Sequence, residues 1–172
     1  MKIVQCTAEH LDAIRTILNY AIEHTTALYE YKPRSPERMR EWFDSKQAAS
    51  LPLIGAVDDT GSLLGFASFG PFRPFPAYKY SVEHSIYVDE QYHGQGIGRL
   101  LLETIIVEAQ SAHIHTLIGG IDSTNTASIG LHKALGFKHC ASIKQAGFKF
   151  DRWLDLEFYQ LILPTPESPV DG

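Results

Sequence analysis

Cysteine is scarce: among 172 residues only Cys6 and Cys140 occur, and they form no C-x-x-C pair. That excludes a structural zinc held by cysteines and leaves too few residues for a disulfide framework. Both are expected to be small buried residues in a reducing cytosol. Positive charge is also in deficit, with 15 Lys and Arg against 20 Asp and Glu and a net charge of -5. A global basic field for holding nucleic acid is therefore absent, although a local anion site stays open. Long apolar runs are missing too. None approaches the ~20 residues needed to cross a bilayer. The start, Met1-Lys2-Ile3-Val4-Gln5, runs into strand-like sequence without a signal-peptide core. A soluble, cytoplasmic protein is expected. The eight histidines show no ligand spacing apart from His113-x-His115, which reads as surface, so no metal is expected.

What is present is ordinary for one folded domain: 44% apolar and 20% charged residues on a chain long enough to bury a core. Ile3–Cys6 reads as a strand. Thr7 is a plausible N-cap for a helix in which Leu11, Ile14, Ile17, Leu18, Ala21 and Ile22 keep helical spacing. Ser35-Pro36 starts a second helix, with proline in the first turn. Leu53–Val57 and Leu63–Phe69 are strands around the turn Asp58-Asp59-Thr60-Gly61. A stiff aromatic loop follows, from Gly70 to Ala77, and then a strand from Val82 to Val88. The glycine loop 94–98 opens a helix carrying Leu101, Leu102, Ile105 and Ala109. Thr116–Ile121 is a strand and Thr126–Leu135 a helix closed by Gly136. Strands near Cys140–Lys144 and Trp153–Leu163 complete the order β-α-α-β-β-β-α-β-α-β-β. The segment Pro164–Gly172, with three prolines, is expected to fray.

Chemistry concentrates in Gln91-Tyr92-His93-Gly94-Gln95-Gly96-Ile97-Gly98. Alternate glycines let a ligand approach the backbone, and the first amides of the following helix have no internal partners. Together with the helix dipole they make a site for a diphosphate, and Arg99 could add charge. The spacing G-x-G-x-G differs from the dinucleotide fingerprint G-x-G-x-x-G, and no Gly-Lys-Ser/Thr follows, which excludes a nucleotide-hydrolase phosphate loop.

A second motif lies about 30 residues on: Asn125-Thr126-Ala127-Ser128-Ile129-Gly130-Leu131-His132-Lys133-Ala134-Leu135-Gly136-Phe137. With Gln91, Gly94 and Gly96 it resembles the GNAT acetyltransferases, whose hallmark is Gln/Arg-x-x-Gly-x-Gly/Ala. The downstream segment matches theirs apart from His132, where a tyrosine is usual. Val82-Glu83-His84-Ser85-Ile86-Tyr87-Val88, Leu131-His132, Arg152-Trp153-Leu154-Asp155, Thr25-Thr26-Ala27 and Arg73-Pro74-Phe75 are similar to the phosphinothricin and methionine sulfoximine N-acetyltransferase branch. The resemblance implies one α/β domain over residues 1–163, with a flexible tail over 164–172. Its single sheet would be mixed and mostly antiparallel, flanked by helices and splayed between its two central strands.

It also implies acetyl-CoA as the acyl donor. Gly94, Gln95, Gly96, Ile97, Gly98 and Arg99 would bind its diphosphate. The backbone of Ile86, Tyr87 and Val88 would hold the pantetheine arm like an added strand, with an amide near Val88 facing the thioester oxygen, and Asn125 would touch the arm. Acetyl transfer needs an amine deprotonated and a thiolate protonated. Glu83, inside an apolar strand, is the candidate base, because burial there pushes a carboxyl upward. A solvated strand face is its alternative reading. His132 is the candidate acid, or else a helix-face histidine satisfied by a backbone carbonyl. His84 alternates to the opposite face and reads as structural.

For the acceptor, Arg73 or Lys79 could neutralise a carboxylate, and Phe75 and Tyr29, with Phe72 and Tyr31, could wall a small pocket. The branch suggests phosphinothricin or methionine sulfoximine as acceptor and a homodimer as the assembly. An aromatic set at Trp153, Phe158 and Tyr159 is either exposed or core. Two other activities remain open: acetylation of a different amine, such as another amino acid or a protein N-terminus, and a non-catalytic module that senses acetyl-CoA.

Overall fold

In the computed structural model, which describes residues 1–171, the elements follow the order read from the sequence. Strand β1 (Lys2–Gln5) leads to helix α1 (Leu11–His24), whose apolar stripe from Leu11 to Ile22 is buried. Thr7 caps a short 3-10 turn, Ala8–His10, in front of α1 rather than α1 itself. Helix α2 (Pro36–Ala48) starts as expected, with the Ser35 hydroxyl accepting from the Arg38 amide at 3.2 Å. Then come β2 (Leu53–Val57), β3 (Leu63–Pro71), β4 (Ser81–Val88), α3 (Ile97–Ser111), β5 (Thr116–Asp122), α4 (Thr126–Ala134), β6 (Lys138–Lys149) and β7 (Arg152–Ile162).

The strands form one seven-stranded sheet in the order β1-β2-β3-β4-β5-β7-β6. The ladders β1–β2, β2–β3, β5–β7 and β6–β7 are antiparallel, whereas β4–β5 is parallel. This is the mixed, mostly antiparallel sheet that was expected. The β4–β5 ladder runs from Ser81↔Thr116 to Glu83↔Ile118, while β4 continues to Val88 and β5 to Asp122.

The chain divides into two compact units. One holds Met1–Phe69 and Ser85–Ile105, and the other holds Gly70–His84 and the chain from Ile106 on. In the first, Ile14, Leu18, Met39, Phe43, Leu53 and Phe66 form a core against which Trp42 and Tyr87 pack. Burying each such side chain contributes about 1.5–3 kcal/mol. In the second, Leu117, Ile121, Phe137, Leu154 and Tyr159 are buried.

Two expectations need correction. Strand β6 is longer than Cys140–Lys144, because it pairs with β7 from Lys138↔Gln160 to Lys149↔Arg152. It lies at the sheet edge and is exposed along most of its length, so Cys140 is exposed whereas Cys6 is buried. The aromatic set near β7 divides: Trp153 is exposed and Tyr159 is core. After Ile162, His115 Nδ1 donates to the Thr165 carbonyl at 2.9 Å, and the Val170 amide donates to the Tyr80 hydroxyl at 3.1 Å. Gly172, the end of the expected tail, lies outside the described residues. Among those described, no helix is long and apolar enough to cross a membrane.

Candidate active site

Successive side chains on β4 point to opposite faces, so Glu83 and His84 look away from each other. Across the ladder, β5 carries two adjacent glycines, and each clears one face. A Cβ on Gly120 would lie 2.8 Å from Glu83 Oε1. A Cβ on Gly119 would lie 3.0 Å from both His132 Nε2 and His84 Cε1. Glycine inside a strand marks just such a close approach.

The two faces differ in solvation. Gly119 is buried and Gly120 exposed, and Glu83 likewise keeps access to solvent. Desolvation by the surrounding sheet nevertheless holds its carboxyl above the ordinary value. A carboxylate that solvent can reach, yet whose charged form is disfavoured, suits proton abstraction near neutral pH.

On the buried face, His84 and His132 stack with ring centroids 5.1 Å apart and Nε2 atoms 2.8 Å apart. His132 comes from α4, which Asn125 caps by accepting from the Ser128 amide at 3.1 Å. His132 Nδ1 lies 2.7 Å from the Ser128 carbonyl. A carbonyl only accepts, so His132 carries its hydrogen on Nδ1 and a lone pair on Nε2. His84 must then donate from Nε2, which leaves its own Nδ1 as a lone-pair nitrogen, buried without a hydrogen-bond partner. Burial, then the charge of His132, drives His84 down to about 3, opposed by the Ile118 backbone, which favours a proton without making an aligned bond. His132 is lowered as well, first by desolvation, with the Ser128 carbonyl opposing. Both rings are therefore neutral near pH 7. The sequence put His132 forward alone; the structure brings it together with His84. The doublet Gly119-Gly120 was the signal in the sequence that something presses against β5.

The glycine loop belongs to the first unit. Gly94 and Gly96 have φ of 77° and 82°, and an added Cβ at either would meet nothing within 4 Å. Conformation rather than crowding demands glycine here, and the open space fits a bulky anion. Ile97 is buried at the head of α3, aiming the first-turn amides of Ile97, Gly98 and Arg99 forward. Gln95 is exposed in the loop, and Arg99 pairs with Glu103 at 2.8 Å, an exposed pair cheap to break. His93 donates from Nε2 to the Val88 carbonyl at 3.0 Å, and the Asp89 amide donates to the Leu64 carbonyl at 2.9 Å. The end of β4 is thus pinned. The Tyr87 ring packs 5.5 Å from Phe66, and its carbonyl lies 2.8 Å from where a Cβ on Gly65 would sit. Ile86 is half-buried one residue before it.

Arg73, Phe75 and Lys79 share one exposed loop between β3 and β4. The Arg73 guanidinium lies 5.6 Å over Phe72, and Lys79 Nζ lies 5.1 Å over Tyr80. Phe72 packs edge-on against Tyr78 and Phe158. Tyr29 belongs to the first unit and is half-buried.

Comparison with known proteins shows the family. The acetyltransferase (GNAT) family matches residues 18–137. An L-methionine sulfoximine/L-methionine sulfone acetyltransferase of Pseudomonas aeruginosa is 41% identical over 160 residues, covering 92% of this chain and 93% of its own. A phosphinothricin N-acetyltransferase of Alcaligenes faecalis is 39% identical, covering 94% and 82%. The crystal structure of a phosphinothricin acetyltransferase from Sinorhizobium meliloti, in complex with AcCoA, superposes with a TM-score of 0.93 at 31% identity, over 98% of this chain and 91% of that one. This chain belongs to the GNAT acetyltransferase family and is an N-acetyltransferase.

Proposed function

We propose that the protein transfers an acetyl group from acetyl-CoA to the α-amino group of a small amino acid or glutamate analogue, such as phosphinothricin or methionine sulfoximine. The observation that carries this reading is Glu83, a desolvated carboxylate given room by Gly120 on a solvent-reached face. The names of the relatives support the acceptor class.

In this reading Glu83 takes the proton of the amine, directly or through one water. The amides of Gly94 to Arg99 hold the diphosphate, and Asn125 offers its side-chain NH₂ to the coenzyme arm while its oxygen caps α4. Ile86, Tyr87 and Val88 present strand backbone to the same arm. While His93 engages the Val88 carbonyl, the Val88 amide faces the thioester oxygen as charge develops on it. His132 supplies the proton of the departing thiolate. Arg73 and Lys79 face the acceptor carboxylate, with Phe75 beside it. When bound, acetyl-CoA supplies the activated acyl group.

The protein acts as a homodimer in this reading, supported by exposed Ile143, Phe148 and Trp153 on the outer hairpin. Sedimentation at micromolar concentration checks the assembly. The activity is checked by thiol release with a panel of amines: turnover with methionine sulfoximine or phosphinothricin is expected, and release with peptide amines alone would overturn the acceptor class.

A further inference from the structure

We propose that His84 is a positioning residue, the far half of a two-ring proton relay that ends at His132. The inference rests on the reading above that His132 supplies the thiolate proton. The Ser128 carbonyl sets the sense of the hydrogen-bond chain: His84 Nε2–H to His132 Nε2, then His132 Nδ1–H to that carbonyl. The Ser128 hydroxyl stands 3.4 Å from the same Nδ1. The chain therefore ends in a hydrogen at α4 and begins in a bare lone pair at His84 Nδ1. An unmade bond on a buried nitrogen is costly, so a merely structural histidine would be expected to satisfy it.

A relay needs that lone pair. His132 gives its Nδ1 hydrogen to the thiolate, the Nε2 hydrogen of His84 crosses 2.8 Å to His132 Nε2, and His84 Nδ1, closed to solvent at rest, takes up a water proton when the packing around it opens. The thiolate gains one proton and solvent loses one. Both rings stay neutral, and they have exchanged tautomers. After the shift His84 carries its hydrogen on Nδ1. The apolar wall suits this: Phe137 lies 5.4 Å from His84 and 5.0 Å from His132, and Gly119 brings no side chain. A pair that burial keeps from charging can still pass a proton, because no imidazolium persists.

The test is His84→Gln, whose side-chain amide can donate to His132 but cannot pass a proton on. Turnover is expected to fall about 10- to 100-fold, at or below the usual acid–base factor, with KM for acetyl-CoA held. The parent should show a bowed rate dependence in mixed light and heavy water, and the variant a linear one. On the unaltered protein, nitrogen NMR should find His132 protonated at Nδ1 and His84 at Nε2. Parental turnover in His84→Gln, or the opposite tautomers, would overturn the relay. His132→Gln separates the two claims. If it turns over normally, the role given to His132 fails; if it is slow while His84→Gln is normal, only the relay fails.

Discussion

Gly120 faces Glu83 so closely that its missing methyl is the space the carboxylate uses: a Cβ there would sit 2.8 Å from Oε1. The Glu83 side chain can swing aside, so Gly120→Ala should leave the fold intact while moving the carboxylate off its position. Turnover is expected to drop at least about tenfold, within the range a general base contributes, with acetyl-CoA binding unchanged. Steady-state kinetics alongside thermal melting checks it.

The neighbouring substitution should behave in the opposite manner. Gly119→Ala pushes a methyl to 3.0 Å from two rings that are buried and cannot retreat. Overpacking of this kind costs about 1–3 kcal/mol, so a clear fall in chemical-denaturation midpoint is expected. A melting curve like the parent's would mean the ring pair is loosely held.

Removing the base leaves a pH signature. Burial raises Glu83, so parental activity should climb as pH rises through that raised value. Glu83→Gln should abolish this limb and lower turnover at neutral pH, while calorimetry finds acetyl-CoA bound as before. Matching rates from about pH 6 to about pH 9 would take Glu83 out of the mechanism.

Gly96 occupies a left-handed backbone conformation, φ 82°, with open space around it. Alanine fits the space but strains the turn by about 1–2 kcal/mol, which misaims the amides. Acetyl-CoA affinity should weaken by roughly tenfold, corresponding to 1.4 kcal/mol. Unaltered binding heat would remove the loop from the anion site.

Acid should weaken the fold through the ring pair. Histidines depressed below their free value near 6.5 resist protonation when folded and accept it when unfolded. Their contribution is complete above about pH 6.5 and declines as pH falls from there toward about 3, the value for His84. Each ring adds up to about 1.4 kcal/mol of lost stability per pH unit. Urea titrations across this window should show the slope, and His84→Phe should flatten it. An unchanged slope would contradict neutral burial.

Much of the fold was legible because it is local. The stripe from Leu11 to Ile22, Ser35 before Pro36, and the glycines at 94 and 96 each act through neighbours in the chain. The length of β6 was not legible, since Lys138 and Lys149 become strand only by pairing with β7. Nor was the ring pair. His84 and His132 stand 48 residues apart, and they meet only because β4 lies parallel to β5 and α4 follows β5. Alternation along β4 separated Glu83 from His84 correctly, but it could not say what His84 would touch. Arg73, Phe75 and Lys79 fell on one loop because sequence proximity alone places them there, whereas Tyr29 is remote in the chain.

The unequal setting of the two cysteines has a practical corollary. Cys6 is sealed in the core, with its thiol pushed up to about 12, while Cys140 stands on the outer edge strand. Air oxidation can therefore link two molecules through a single sulfur each, and ageing preparations without reductant would accumulate covalent pairs joined at β6. Desolvation raises the Cys140 thiol as well, so such linkage would build slowly, over storage rather than over an assay.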